Sequence, residues 1–394
     1  MKGRTGAIAD RAWRLPWVGQ WVPHGLLDIL RGCDISCRAC YNVGAARART
    51  TEEVRSDLEV LRRERRLDAL AIVGGEPTLH PQLCAIVRMI KEAGISVELF
   101  TNGLRATPKM LSDLKAAGVD MVFLHIDAYQ RRGDLAAGAG AEALRALRVK
   151  KAEEVAAAGM EAGLVMTAYG DGLEEIEAAA ELVLDSPTLD YLVVTFHRDT
   201  PGLGVLRGDL AAGICGCAGM MTEVGTGLSQ VAVAARMKER FGLDPFAFVG
   251  SNVDANDPRW VTYLAVAVTS ARGKAFFRAM RPTCVERGYV ALCRRIKGRY
   301  PFFVRRAAGK LRLQLLLNML AGGGVGNAAV LARSGAGRLR VKRIVFQTPA
   351  ELGNGGELIH CAHCPDATVK NGRLVPVCVC DQVENVAEKG RRSV

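Results

Sequence analysis

No uninterrupted apolar run in this chain reaches the roughly twenty residues that cross a bilayer, which argues against a membrane-spanning helix. The N-terminus, Met1-Lys2-Gly3-Arg4, leads into a mixed stretch without the apolar core of a secretory signal. Without export, the expected location is cytoplasmic, where thiols stay reduced. Twelve cysteines then point to metal or cluster binding rather than disulfides. Acidic residues are nearly missing from one segment. Between residues 271 and 312, thirteen Lys or Arg stand against the single acid Glu286, which accounts for the whole formal excess of +12. The rest of the chain is balanced. No peptide-binding or cobalamin-binding module is recognisable, so the sequence leaves the substrate unnamed. What is present is ordinary for a soluble globular protein: 49% apolar and 6% aromatic residues in 394, enough for one large domain and a smaller one.

The most informative stretch is Arg31-Gly32-Cys33-Asp34-Ile35-Ser36-Cys37-Arg38-Ala39-Cys40-Tyr41. Its three cysteines have the spacing C-x3-C-x2-C. Three neighbouring thiols cannot all pair among themselves, but they can converge on one metal cluster. Thiolates are the usual protein ligands of a 4Fe–4S cube, and three of them leave one iron open for a small molecule. The alternatives are a cysteine-rich turn, or a zinc site completed by a distant fourth ligand. Zinc knuckles favour paired C-x2-C units, and no second pair lies nearby.

Residues 1–24 hold Trp13, Pro16, Trp17, Trp21 and Pro23 and read as an irregular arm packed on the core. From Leu26, apolar runs at 26–30, 70–73, 97–100, 121–126, 164–168 and 191–196 suit strands buried on both faces of a parallel sheet. Helical stretches alternate with them. One opens near Thr51, the expected N-cap, with Glu52 and Glu53 in its first turn. Others cover 81–93, 108–117, 141–158 and 173–184, and Gly94, Gly118 and Gly159 stand where left-handed C-caps are wanted. Six tandem β-α units imply a parallel barrel or open sheet. In parallel barrels, function gathers at the strand ends. There the chain places Gly74-Gly75-Glu76-Pro77, Thr101-Asn102-Gly103, His125-Ile126-Asp127, Thr167 with Tyr169, and His197-Arg198-Asp199. Alternation puts His125 and Asp127 on one face of their strand. A lone inward histidine is often a satisfied core group; the paired aspartate favours a functional one.

The cysteine loop, the GGEP-like Gly74–Pro77 motif and the Thr101-Asn102-Gly103 segment, in that order at successive strand ends, resemble the radical S-adenosylmethionine enzymes over roughly residues 25–200. The resemblance implies a partial parallel (β/α)6 barrel, a 4Fe–4S cluster on Cys33, Cys37 and Cys40, and S-adenosylmethionine chelated to the open iron through its amino and carboxylate groups. It implies that Gly74, Gly75, Glu76, Thr101, Asn102, His125, Asp127 and Thr167 hold that cosubstrate. It also implies a reducing partner such as flavodoxin or ferredoxin. The reaction implied is reductive cleavage to a 5′-deoxyadenosyl radical that takes hydrogen from an unactivated carbon. The family usually has an aromatic residue before the third cysteine; here that residue is Ala39, and Tyr41 follows.

Past the barrel, residues 201–345 read as a helical basic region, including a helix at about 228–241 and an amphipathic stretch from Pro301. Val304, Ala307, Ala308, Leu311, Leu315 and Met319 share one face of that stretch; Arg305, Arg306, Lys310 and Arg312 take others. Leu313, Leu316, Leu317 and Leu320 widen the apolar side. This composition fits an anionic membrane surface and a lipid-like or anionic substrate. Packing on the barrel fits equally, and nucleic acid is a further partner such charge attracts. Residues 346–382 form a Cys-rich segment in which Cys361, Cys364, Cys378 and Cys380 at C-x2-C-x13-C-x-C make an auxiliary iron–sulfur cluster or zinc site, and 383–394 form a polar tail. Cys84 reads as a buried structural thiol, and Cys215 and Cys217 as a loop pair without an assigned role. A competing reading of the whole is a non-catalytic Fe–S or zinc protein binding nucleic acid through residues 271–312, with Phe276, Phe277, Tyr289, Tyr300, Phe302 and Phe303 interleaved.

Overall fold

The computed structural model describes residues 6–38, 40, 46–136, 138–170, 172–197, 228–269, 275–302, 308–324, 326–335, 337–352 and 357–379. Six strands follow the apolar runs: β1 Leu26–Asp28, β2 Ala69–Val73, β3 Ser96–Thr101, β4 Met121–His125, β5 Glu161–Ala168 and β6 Leu189–Phe196. They lie side by side in chain order, each parallel to the next. Helices α1 Thr51–Glu64, α2 Leu83–Glu92, α3 Pro108–Ala117, α4 Ala141–Ala157 and α5 Leu173–Asp185 alternate with them. Ile72, Leu99, Leu124, Leu164 and Leu192 are fully buried against the helix layer, which is why the strands read as continuous apolar runs. This is the expected partial (β/α)6 barrel.

The expected N-cap of α1 shifts by one residue. Thr50, not Thr51, accepts from the Glu53 N–H at 3.2 Å, and Glu53 Oε2 accepts from the Thr50 N–H at 2.8 Å. Only Thr50 stands three residues ahead of a glutamate, the spacing that closes a reciprocal capping box. Gly118 ends α3 at φ 113°, a conformation that side chains with a Cβ rarely adopt.

The region after the barrel contains helices α6 Gln230–Phe241, α7 Cys284–Lys297, α8 Ala308–Asn318 and α9 Gly326–Arg333. It also contains four strands that the sequence reading misses: β7 Ala247–Gly250, β8 Pro258–Thr269, β9 Phe276–Ala279 and β10 Arg338–Gln347. β10 pairs parallel to β6; β8 then pairs antiparallel to β10 over ten residues, and β7 and β9 pair antiparallel to β8. The arm strand Trp13–Arg14 adds to β7 at the edge. β10 escapes the sequence reading because cations interrupt the continuous apolar run by which β1–β6 are recognised. Here Arg340 pairs with Asp190, and Arg343 lies over the Tyr191 ring at 4.7 Å. Lys342 is fully buried on Asp190 and the carbonyls of Ser186 and Leu189.

The N-terminal ends of the strands are closed by residues distant in sequence. Trp17 packs on Phe302 and Trp260 with ring centroids 5.7 and 6.3 Å away. His24 stacks on Phe302 at 4.2 Å and lies between Glu98 of β3, at 3.4 Å, and Asp366 of the Cys-rich segment, at 3.1 Å. Buried Arg65 donates to the carbonyls of His24, Cys364 and Pro365. A small hairpin, Ala367–Lys370 with Arg373–Pro376, follows. The Cys-rich segment is therefore docked on the barrel by charges that are hidden from water.

Burial alone would lower the His24 pKa, but the hydrogen bonds and charges of Asp366 and Glu98 outweigh it and raise the value from 6.5 to about 9. The folded value lies above the unfolded one, so the protonated ring stabilises the fold. That contribution is complete below pH 6.5 and is lost as pH rises through about 9. Stability should therefore fall between these values by about 1.4 kcal/mol per pH unit for one proton. His24→Gln should flatten that slope. Urea titrations of both proteins from pH 6 to 9.5 check it; parallel slopes would remove His24 from the account.

Candidate active site

Three segments meet over the C-terminal ends of the strands. The cysteine loop leaves β1, and its Ser36–Cys37 pair forms a short antiparallel ladder with Gln130–Arg131 beyond β4. Arg38 donates its N–H to the Tyr129 carbonyl at 3.0 Å. Its guanidinium sits 4.9 Å from the Tyr129 ring and 4.8 Å from the Tyr169 ring, so two aromatic faces grip the loop. Asn102 Nδ2 donates to Asp34 Oδ1 at 2.7 Å and lies 4.0 Å from Cys33 Sγ; Arg105 pairs with Asp34 at 3.1 Å.

The thiols of Cys33, Cys37 and Cys40 feel one another. Burial pushes Cys33 up to about 11, and the charges of Glu76, Cys40 and Asp34 add to it. Burial likewise raises Cys37, helped by Asp127 and the other two cysteines, against a hydrogen bond from Gln130. Among the described residues, no three His, Cys, Asp or Glu side chains converge as a single-ion site would require. Metal binding would deprotonate the thiols and reverse these shifts.

The glycines after β2 are set by close approach. Gly74 has φ 146°, and a Cβ there would lie 2.4 Å from the Leu30 carbonyl oxygen. Gly75 N–H donates to that oxygen at 2.7 Å, and Glu76 N–H to the Gly32 carbonyl at 2.8 Å. The β2 loop is thus zipped to the root of the cysteine loop.

Two residues expected to contact the cosubstrate are buried and hydrogen-bonded within the protein. Glu76 is fully buried. Its Oε1 accepts from the hydroxyls of Thr101 and Thr78, both at 2.6 Å, and from the Thr78 N–H at 3.0 Å; Oε2 accepts from the Asn102 N–H at 2.7 Å. Burial raises its pKa, and these four donors oppose that. Asp127 is also buried. Its Oδ2 contacts His125 Nε2 at 3.0 Å and the Thr167 N–H at 3.4 Å, and Oδ1 accepts from the Tyr129 N–H at 3.0 Å. Burial would raise the Asp127 pKa; the hydrogen bond and charge of His125, with the two N–H donors, hold it below the usual carboxylate range. Alternation did place His125 and Asp127 together, and His125 is the half-exposed member. Thr101 braces Glu76, and Thr167 serves Asp127 through its backbone.

Sequence reasoning named Tyr169 at a strand end but missed Arg38, Tyr129, Gln130 and Arg132. Arg132 donates to the Asn102 carbonyl at 2.8 Å and to Gln130 Oε1 at 2.9 Å, joining the third and fourth strand ends. Only the position of Arg38 inside the cysteine loop hinted at any of these. Residues 39, 41, 198 and 199 lie outside the described residues, as do Cys215 and Cys217. Cys84 is partly buried against the core. At the other end of the barrel, Cys361 and Cys364 are in hydrogen-bond contact, and Cys378 is pushed up to about 12 by burial and by Cys364. Cys380 lies outside the described residues.

The parallel barrel carries a three-cysteine loop beyond the C-terminal end of its first strand. Residues 27–183 match the Radical SAM superfamily, and a cysteine-rich C-terminal extension lies beyond the matched part. It is 26% identical to the tungsten-containing aldehyde ferredoxin oxidoreductase cofactor-modifying protein of Pyrococcus furiosus, over 44% of this chain and 52% of that protein. It is 27% identical to the PqqA peptide cyclase of Ruegeria pomeroyi, over 44% of this chain and 47% of the other. The chain spans about half the length of the curated relatives it matches. Among solved structures, methylornithine synthase (PylB) aligns with a TM-score of 0.39 at 13% identity, over 60% of this chain and 66% of that one.

Glu76→Ala should leave two hydroxyls and two N–H groups without an acceptor and destabilise the fold by roughly 3 kcal/mol. Denaturant unfolding of the purified variant measures this. A native midpoint would return Glu76 to direct cosubstrate contact.

Proposed function

We propose that the chain is a radical S-adenosylmethionine enzyme, with Cys33, Cys37 and Cys40 holding a 4Fe–4S cluster. The observation that carries this reading is the three-cysteine loop held over the strand ends by Asn102, Arg105 and the Tyr129 carbonyl, within residues that match the Radical SAM superfamily. When bound, the cluster supplies the electron that splits S-adenosylmethionine to a 5′-deoxyadenosyl radical able to take hydrogen from an unactivated carbon. The protein's own part is positional. The Gly74–Gly75 backbone allows close approach of the cosubstrate. Asn102 and half-exposed His125 present polar groups toward it, while Glu76 and Asp127 fix their carriers. Tyr129 and Tyr169 clamp Arg38 and shield the site, which protects a reactive alkyl radical from solvent. A flavodoxin- or ferredoxin-like reductant completes the cycle. Cys361, Cys364 and Cys378, with Cys380, form a second metal site, and an iron–sulfur cluster suits an enzyme that already depends on cluster assembly better than zinc does. The nucleic-acid reading loses support because Arg294 and Arg299 are already engaged, on Trp21 and Tyr300 and on Asp68.

Anaerobic reconstitution tests the proposal. Wild-type protein with dithionite and S-adenosylmethionine should release 5′-deoxyadenosine. Cys37→Ala should lose most cluster absorbance and at least a hundredfold of that release while keeping its fold. Release at the wild-type rate would end the assignment. In the Cys33/Cys37/Cys40 triple-alanine protein, residual iron with cluster-like spectra supports the second cluster, and stoichiometric zinc replaces it.

A membrane surface is a second element of the proposal. No helix among the described residues is long and apolar enough to cross a bilayer. On α8, Leu311 and Leu315 are buried, yet Leu313, Leu316 and Leu317 are exposed, as is Leu320 just past its end, and α7 adds exposed Leu292 and Ile296. Exposed Arg295 and Lys297 stand on α7 with these residues, the composition of an interfacial helix, and each cation near an anionic surface contributes about 1 kcal/mol. Arg305 and Arg306 lie outside the described residues. Vesicles containing phosphatidylserine should sediment the protein at low salt and release it at high salt. Leu317→Asp with Leu320→Asp should reduce binding at least tenfold. No retention at low salt would remove the membrane from the account.

A further inference from the structure

A cavity of about 820 Å³ opens on the inner face of the barrel, between β3–β6, the added strands and residues 301–302. Its wall is largely aromatic. Phe100 and Phe123 stack at 4.6 Å, Tyr191 meets Phe123 edge-on at 5.7 Å, and Trp17, Trp260 and Phe302 line the far side. One chain of polar contacts crosses this wall. The Thr195 hydroxyl donates to Gln347 Oε1 at 2.9 Å, and Gln347 Nε2 to Asp366 Oδ2 at 2.7 Å. Asp366 Oδ1 meets His24 Nδ1 at 3.1 Å, and His24 Nε2 lies 3.4 Å from Glu98 Oε2.

The chain ends on an oxygen without a partner. Glu98 is 2% exposed, and its Oε1 has no hydrogen-bond partner. A buried acceptor left unmatched is costly, more so on a carboxylate. The other buried charges on the wall are matched. Asp190 binds Arg340 and Lys342, and Glu286 accepts from Thr283 and Asn318. Half-buried Arg343 donates to the Phe302 carbonyl at 3.0 Å.

We propose that this cavity is the substrate site and that it takes a molecule carrying a protonated primary amine, whose ammonium binds Glu98 Oε1 beside the rings of Phe100 and Phe123. Glu98 and Phe100 are two residues apart on β3 and share its inner face, so carboxylate and aromatic ring present one cation site. The engaged Oε2 selects an amine over a guanidine. A guanidinium binds best through both carboxylate oxygens, and His24 already holds one of them. The remainder of the substrate would lie against the aromatic wall. This deepens the radical reading, since the cavity lies inside the same barrel, but the binding itself needs no cluster.

Trp17 and Trp260 on the wall give the readout. Reconstituted protein saturated with S-adenosylmethionine is titrated at pH 7 with phenethylammonium, with 2-phenylethanol as its neutral counterpart and with 3-phenylpropionate as an anionic one. The expected result is a saturable change in tryptophan fluorescence with phenethylammonium at least tenfold below the concentration required by either of the others. Glu98→Gln should erase that preference while keeping the wild-type circular dichroism spectrum. Absence of saturable binding, equal binding of the alcohol, or an unchanged preference in Glu98→Gln would overturn the proposal and leave Oε1 to water. Should Glu98→Gln fail to fold, the three-probe comparison on wild type decides alone. Cys37→Ala separates the two readings: the amine site predicts wild-type probe affinity there even though cluster and 5′-deoxyadenosine formation are lost.

Discussion

The open end of the barrel depends on one buried carboxylate. Glu76 accepts four hydrogen bonds, from the loop after β2 and the loop after β3, and so joins two adjacent strand ends. Asn102 is positioned by that bond to its own N–H, and its side chain then reaches Asp34 and the sulfur of Cys33. A charge kept from water is stable only when its acceptor capacity is filled. The geometry is therefore rigid: movement of either loop strands the carboxylate. Asp127 repeats the device one strand further on, gathering His125, Tyr129 and Thr167.

The opposite end is built differently. There the chain brings together His24 from the arm, Glu98 from β3, Arg65 from the end of α1 and Asp366 from the far C-terminal segment. These groups fasten the Cys-rich extension to the barrel floor. The two cysteine groups thus lie at opposite ends of β1, with the aromatic cavity on the inner face between β3 and the added strands.

The basic segment divides in the folded chain. Part of it is structural: Arg299 binds Asp68 and the carbonyls of Leu67 and Gly94, and Arg294 covers Trp21. Another part stays at the surface beside the exposed leucines of α8. Net charge alone could not separate these uses, because a cation's role depends on which carbonyl, ring or carboxylate the fold carries to it.

The sequence by itself determined the barrel. Continuous apolar runs, glycine caps at Gly94, Gly118 and Gly159, and helical spacing between them are local signals, and β1–β6 with α1–α5 follow them closely. It also determined the cysteine triplet and the pairing of His125 with Asp127, since spacing along one loop or one strand carries that information. Only the tertiary structure decided the remainder. β10 keeps its cations in the sheet because Asp190, Tyr191 and the carbonyls of Ser186 and Leu189 neutralise them, and β8 becomes a strand by pairing along its whole apolar run with β10. The hydrogen bonds that fill Glu76 and Asp127 come from loops separated in sequence, so no local pattern showed them. The free oxygen of Glu98 exists only because His24 and Asp366, hundreds of residues apart, meet at the barrel floor; no local pattern records a meeting that packing alone brings about.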